Sequence, residues 1–334
     1  MTNPLTIYKS DTEPIKCQDG VPITRQLESL FNTIPEEELL KALKVYYAGR
    51  NGYTYRILWR TYVAMTVLNL PSFAALIRTL QNNPYIAQAC GIANPDAIPS
   101  KFAYSRFMRK LQILHNVVLV KNIMRTLTCR CYEVFPDFGK CVAIDATDLK
   151  AWSNGSKQRK TDPDAGWIIK ADSNGKRKFV WGYKMHLMVD TTYEIPITAN
   201  ITKGNTADVR QATPLLRQAR YINGKFHPEY VICDAGYSSG DLRMKIRWQW
   251  NAHPIIKSPK SHKKWVGDET PEWQLIFNRR TSVERAFGRM KNHRRLNNIT
   301  VRRRRKVTVH SLIPIIVTQA IALAFPDTPR NCIW

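Results

Sequence analysis

Acidic residues are scarce in this chain. Only 26 Asp and Glu stand against 51 Lys and Arg in 334 residues, a formal net charge of +25. Such an excess repels itself in a compact fold unless a polyanion offsets it. That leaves nucleic acid or an anionic membrane surface as the expected partner. The basic residues are spread through aromatic and polar segments and form no amphipathic tail, which favours nucleic acid.

Cysteine pairs with metal-site spacing are also missing. Cys17, Cys90, Cys129, Cys131, Cys141, Cys233 and Cys332 include no CxxC, so zinc-finger geometry is excluded. Their odd number and irregular spacing argue against a disulfide framework, and a reducing cytoplasm is the expected setting. Pro4, Lys9, Asp11, Glu13 and Pro14 interrupt the first sixteen residues, so no secretory signal is read there. The longest apolar run, residues 311–325, falls short of the ~20 residues a membrane span needs and reads as a buried C-terminal helix. No repeat or low-complexity block is found.

What is present is globular. The apolar fraction is 44%, enough for one large domain or two modest ones. Residues 1–25 read as an irregular leader and residues 26–133 as helical. Pro35-Glu36-Glu37-Glu38 opens a helix with acids in its first turn, where the helix dipole favours them. Pro71-Ser72 breaks an apolar helix, and Ser72 suits the N-cap of the next. This pair resembles a helix-turn-helix, with a plain helical scaffold as the alternative.

From Cys141 the period becomes strand-like. Expected strands cover residues 141–147, 179–190, 194–202, 230–234 and 253–257, with residues 153–178 a polar loop. Asn205 and Thr206 suit the cap of a helix from Ala207 to about Ala219. A second helix is expected over residues 240–250. A basic loop carrying Trp265 then leads to a helix at residues 281–295. Three consecutive strands followed by alternating helices and strands imply a mixed sheet with helices on its faces.

Two acids end apolar strands: Asp145 after Val142-Ala143-Ile144, and Asp234 after Val231-Ile232-Cys233. A carboxylate there is costly unless its charge is compensated. With a third acid from a helix, such as Glu284, the set suits Mg²⁺ or Mn²⁺. Two ions about 4 Å apart can activate the attacking oxygen and stabilise the leaving oxygen of a phosphodiester. Asp148 competes with Asp145; strand alternation sends the two to opposite faces. Asp234 could instead be a turn residue, and Glu284 a partner in helix salt bridges.

At this point the chain resembles a known family. The pieces are Ala143-Ile144-Asp145-Ala146-Thr147, Gly182-Tyr183-Lys184-Met185-His186, Gly204-Asn205-Thr206-Ala207-Asp208, Cys233-Asp234-Ala235-Gly236-Tyr237 and the run from Ser282 to Lys291. Residues 141–295 resemble the catalytic domain of insertion-sequence transposases of the DDE type, which has a ribonuclease-H-like fold. Residues 26–114 resemble, more loosely, the helical N-terminal region of those enzymes. One branch of the family carries a tyrosine, an arginine, a glutamate and a lysine at fixed spacings around its third acid. Arg280, Glu284 and Lys291 stand at those spacings, and Phe277 replaces the tyrosine.

The resemblance implies a helical region at residues 1–135, with a role in binding DNA ends, and a catalytic domain at residues 136–326. The latter would be an α/β domain built on a mixed five-stranded sheet. It implies Asp145, Asp234 and Glu284 as catalytic metal ligands for two Mg²⁺ or Mn²⁺ ions. Arg280, Lys291, Lys184, Arg285, Arg294, Arg295, Arg302 and Arg303 would contact DNA. Residues 285–306 hold ten Lys or Arg and no acid, which independently favours phosphate contact. The expected partners are double-stranded DNA, as terminal repeats and target, and a second copy of the chain, with no membrane. The expected setting is a prokaryotic cytoplasm, on the nucleoid when DNA-bound. The expected reaction is hydrolysis at the element's end followed by attack of the freed 3′-hydroxyl on target DNA. A nuclease without strand transfer and a catalytically silent DNA-binding derivative are the alternatives.

Overall fold

The computed structural model describes residues 22–45, 53–156, 161–171, 176–258 and 270–327. Residues 1–21 of the expected leader, Cys17 among them, and Trp265 and Cys332 lie outside them, while residues 23–25, read as irregular, open the first helix. The N-terminal part is helical: α1 (Ile23–Thr33), α2 (Glu37–Val45), α3 (Tyr55–Val67), α4 (Phe73–Asn82), α5 (Pro84–Ala89), α6 (Lys101–Leu111) and α7 (Leu114–Val134). Ser72 caps α4 as its position suggests, its hydroxyl accepting from Ala75 N at 3.2 Å.

The second part alternates. It comprises β1 (Cys141–Lys150), β2 (Gly166–Ala171), β3 (Arg177–Asp190), β4 (Pro196–Lys203), α8 (Val209–Ile222), β5 (Tyr230–Cys233), α9 (Gly240–Trp250), β6 (His253–Ile256), α10 (Pro271–Asn278), α11 (Thr281–His293) and α12 (Arg304–Ala324). β3 lies between β1 and β4 and is antiparallel to both. β5 and β6 continue the sheet in parallel beyond β1. The chain is thus a mixed sheet flanked by helices, preceded by a helical region. All five expected strands form, and β2 adds a sixth. β2 lies in the stretch read as a polar loop: only Trp167, Ile168 and Ile169 are strongly apolar, and the first half of β3 supplies its pairing. α10 lies at the end of the expected basic loop, started by Thr270 as N-cap and Pro271 at its first position. The cap expected of Asn205 and Thr206 does not form. α8 begins after Asp208, whose carboxylate makes no cap because it binds Lys184.

Two apolar clusters cover the sheet. One face packs against α11 and α12, and through them against the N-terminal helices; the other packs against α8 and α9. α12 joins the two parts, touching α1, α3, α6, α7 and β4. It is long and apolar enough to cross a membrane, yet 83% of its apolar window is buried here, as a core helix would be. Inside the core, Gln319 donates to Thr128 Oγ1 at 2.9 Å and to Pro196 O at 2.8 Å, and Thr128 donates to Ile197 O at 3.0 Å. Burying these donors is tolerable because each finds an acceptor.

The start of α12 is held from afar. Arg303 N donates to Asp162 Oδ1 at 2.9 Å, and Arg304 N to Asp164 Oδ2 at 3.0 Å. Asp162 is fully buried and also accepts from the Tyr183 hydroxyl and, at 3.1 Å, from Ser153 Oγ. These two acids supply the first orphan amides of the helix and face its basic run. Asp162→Ala would leave three donors without their acceptor, and the expected cost is about 3 kcal/mol. Urea unfolding of the variant should show it. A loss below about 1 kcal/mol would refute the anchoring role.

Candidate active site

The parallel pairing of β1 with β5 sets Ile144 beside Cys233, so the next residues, Asp145 and Asp234, emerge side by side. Alternation decides their face. Ala143 and Ile232, two residues earlier, pack in the cluster that contains Val283, Ala286, Phe287 and Met290 of α11. Val142, Ile144, Val231 and Cys233 point into the opposite cluster. Both acids therefore face α11, the helix that carries Glu284.

Their electrostatics agree with that placement. Burial pushes the Asp145 carboxyl up to about 6, and the neighbouring charges of Asp234 and Glu284 add to the rise. A 2.8 Å bond from Ala146 N and the charge of Arg280 oppose it. Asp234 opens a tight turn and accepts from Gly236 N at 2.9 Å. Neither Asp145 nor Asp234 makes an ion pair among the described residues. Asp148, by contrast, is bound by Lys170 at 2.7 Å.

Glu284 is half-exposed and bound to Arg280 at 2.8 Å. Among the described residues, no three acidic, His or Cys side chains are gathered closely enough to grip a metal ion. Arg280 in turn lies over the face of Phe277, 5.8 Å from its centroid. Phe277 stacks on Trp273 at 4.9 Å. The ring that replaces the family's tyrosine thus supports the arginine through its face, which needs no hydroxyl. Lys291 lies within electrostatic reach of Asp148 and Asp145; burial lowers its pKa, and Lys170 does so further.

Tyr237 received no role from the sequence. Its ring is buried and its hydroxyl has no hydrogen-bond partner among the described residues. Burial, Cys233 and the charges of Asp145, Asp208 and Asp234 all raise its pKa, which places the hydroxyl near those acids. Asp145 and Asp234, on the α11 side of the sheet, offer carboxylate oxygens to a divalent cation. The donors are all hard oxygens, so they fit Mg²⁺ or Mn²⁺.

The other cations expected to touch DNA divide. Lys184 and His186 occupy β3 positions facing away from the acids. Lys184 Nζ binds Asp208 at 2.9 Å, and His186 Nε2 lies 2.8 Å from Thr202 Oγ1. Burial lowers His186 to about 4, against the opposing charge of Asp208, so it is neutral at pH 7. Arg285 binds Glu194 at 2.6 Å through Nε and shares that acid with Arg289. Arg294 and Arg295 correct the expectation outright: both are buried. Arg294 donates to Val67 O at 3.2 Å, and Arg295 N donates to Asn69 Oδ1 at 3.2 Å. They fasten the end of α11 to the corner between α3 and α4, so that corner, read as a helix-turn-helix break, is occupied from within. Arg302 is half-buried and Arg303 exposed.

Carboxylates emerging at adjoining strand ends of a mixed sheet, in a chain of net charge +25, fit an enzyme that acts on nucleic acid. Residues 136–318 match the family described as transposase DDE domain, and residues 16–110 match the one described as transposase domain (DUF772). The chain belongs to the transposase DDE domain family, a family that uses divalent metal, and it is a DNA transposase. No curated protein matches it. Among solved structures, it is similar to a piggyBac transposase synaptic complex with hairpin DNA, at 10% identity and a TM-score of 0.48 over 97% of this chain and 80% of that one. It is also similar to the Mos1 mariner paired end complex with Mn, at 11% identity and a TM-score of 0.23 over 92% of this chain and 98% of that one. Both scores are too low to define a shared fold.

The raised pKa of Asp145 has a sign that can be measured. The folded form binds its proton more tightly than the unfolded chain, so this group's stabilising contribution falls as pH rises from the ordinary 3.8 through about 6. Asp145→Asn should therefore stabilise metal-free protein at pH 7 by roughly 3 kcal/mol and raise its melting temperature. Mg²⁺ should raise the melting temperature of the wild type and leave that of the variant unchanged. A variant less stable than wild type at pH 7 would contradict this account.

Proposed function

We propose that Asp145, Asp234 and Glu284 hold two Mg²⁺ or Mn²⁺ ions, and that the chain cuts the ends of a transposable element and joins them to target DNA. The observation that carries this reading is the emergence of Asp145 and Asp234 side by side beneath the helix that bears Glu284. When bound, the ions supply activation of the attacking oxygen and stabilisation of the leaving oxygen. The chain's own groups do the rest. Glu284 turns from Arg280 towards the two aspartates, and the released guanidinium takes a phosphate of the substrate. Lys291 holds the same backbone from the next turns of the helix. The buried strand ends keep water from screening these charges.

Residues 1–135 serve to bind DNA ends. Support comes from α6, whose exposed residues Lys101, Phe102, Ser105, Arg106 and Arg109 share one face. Such a face suits phosphate contact along a duplex. Two ends must be held for joining, so the DNA complex contains two copies of the chain.

Cleavage of duplexes carrying the DNA that flanks this gene, labelled at the 3′ end, tests the site. Wild type should cut in Mg²⁺ and give a joined product, whereas Glu284→Gln should lose on the order of a hundredfold or more. Undiminished cutting by Glu284→Gln would remove Glu284 from the site. For α6, Arg106→Ala with Arg109→Ala should weaken binding equally across DNA sequences and lower the salt slope by about 2. An unchanged slope would clear that face of DNA contact.

A further inference from the structure

The register that sets Asp145 beside Asp234 has a third member. β6 pairs with β5 in parallel and sets Ile256 beside Cys233, as β1 sets Ile144 there. The residues that leave the three strands are therefore Asp145, Asp234 and Lys257, in a row. Neighbouring strands lie about 4.8 Å apart, so Lys257 emerges about 5 Å from Asp234 and about 10 Å from Asp145.

Lys257 also shares their side of the sheet. Ile255, two residues earlier, packs in the cluster that holds Ala143, Ile232 and the apolar face of α11, whereas Ile256 packs in the opposite one. Alternation then turns the Lys257 side chain towards the face of the acids. Its one ring contact agrees. The ammonium lies 5.9 Å from the centre of Phe277, a ring packed against that same cluster.

The backbone here is held and the charge is unclaimed. The buried Arg243 guanidinium donates to the Ile256 carbonyl and lies 3.5 Å from Ser258 Oγ, which ties the chain on both sides of Lys257. The Lys257 side chain is exposed and makes no ion pair among the described residues, although Asp234 stands on the next strand. The other cations of the site are engaged or lie elsewhere. Arg280 is bound to Glu284 at 2.8 Å, and Lys291 lies towards β1, within electrostatic reach of Asp145 and Asp148. The acids are thus bracketed, by Lys291 on the β1 side and by Lys257 on the β6 side. A nucleic-acid strand crossing the row would meet both. An ammonium on a flexible stem suits a phosphate oxygen at such an edge.

We propose that Lys257 is a substrate-binding residue of this site, its ammonium holding a non-bridging oxygen of a DNA phosphate beside the one that is cut. This rests on the reading of Asp145, Asp234 and Glu284 as the DNA-cutting site. It gives the cut strand a path, from Lys291 over the acids to Lys257.

The test uses the full chain and duplexes carrying the flanking DNA, with single phosphates around the cut replaced in turn by neutral methylphosphonate. Wild type should cut the unmodified duplex in Mg²⁺, and one replacement near the cut should slow it about tenfold. Lys257→Gln should cut the unmodified duplex about tenfold more slowly and lose nothing further at that position. Lys257→Arg should stay near wild type. Both variants should keep the wild-type melting temperature, since the side chain is exposed. Without metal, Lys257→Gln should lower the salt slope of duplex binding by about 1. Cutting by Lys257→Gln at the wild-type rate, an unchanged slope, or equal losses in variant and wild type at every phosphate would overturn the inference and leave the transposase reading standing. So would insensitivity of Arg280→Gln at the same phosphate, which would make Lys257 a support for Arg280 through Phe277. Failure of wild type to cut would count against the DNA-cutting reading itself and remove the inference with it.

Discussion

Two carboxylates brought side by side at buried strand ends are an unfavourable arrangement for a protein to maintain alone. Desolvation and mutual repulsion both oppose the charged state of Asp145, and burial is the larger of the two causes. Much of the catalytic half can be understood as what holds that arrangement in place. Parallel pairing of β1 with β5 fixes the spacing, and the apolar seam under α11 fixes the face. Phe277, Trp273 and Lys257 form a stacked support that keeps Arg280 within reach of Glu284. In the metal-free chain the third acid is occupied by its own arginine. On the proposed reading, loading the site would exchange one ionic contact of Glu284 for another, a smaller step than bringing in a free carboxylate from solvent.

The strongly basic composition is spent in two different ways. Part of it lies on the surface, at α6 and in the exposed run from Arg303. Another part serves as internal fastening. Arg285 and Arg289 clamp Glu194 at the turn before β4, and Arg294 and Arg295 join α11 to the N-terminal helices. Buried charge is costly when unpaired, and Arg285, Arg289 and Arg294 are bonded to carboxylate or backbone oxygen, whereas the Arg295 link runs through its backbone N–H and burial lowers the pKa of its guanidinium. The catalytic helix is therefore rigidly referenced to the N-terminal region, and the two regions share one apolar core through α12.

What could be read in advance follows from how local each signal was. Asp145 and Asp234 stood out because three apolar residues lead straight into each, and that run is the strand itself. The turn after Asp234 was legible because Asp and Gly two residues apart have few other uses. β2 was not, because its three strongly apolar residues are a strand only by virtue of pairing with β3, which a local pattern does not contain. Asp162 was not, because its three partners lie on Ser153, Tyr183 and Arg303. Arg294 and Arg295 misled for a related reason: their position in a basic run predicts charge density, while burial depends on where the corner at Asn69 comes to rest.

The capping of α12 by Asp162 and Asp164 has a consequence in time. Their partners follow them by 141 and 140 residues. At ribosomal speed that is on the order of ten seconds of synthesis, during which a carboxylate destined for full burial has no donors from the final helix. The catalytic sheet can begin to assemble in that interval, but the loop carrying Asp162 and Asp164 cannot lock until the start of α12 has been made. A chain cut short before α12 would therefore lack both the amides that Asp162 and Asp164 hold and the helix that joins the two parts.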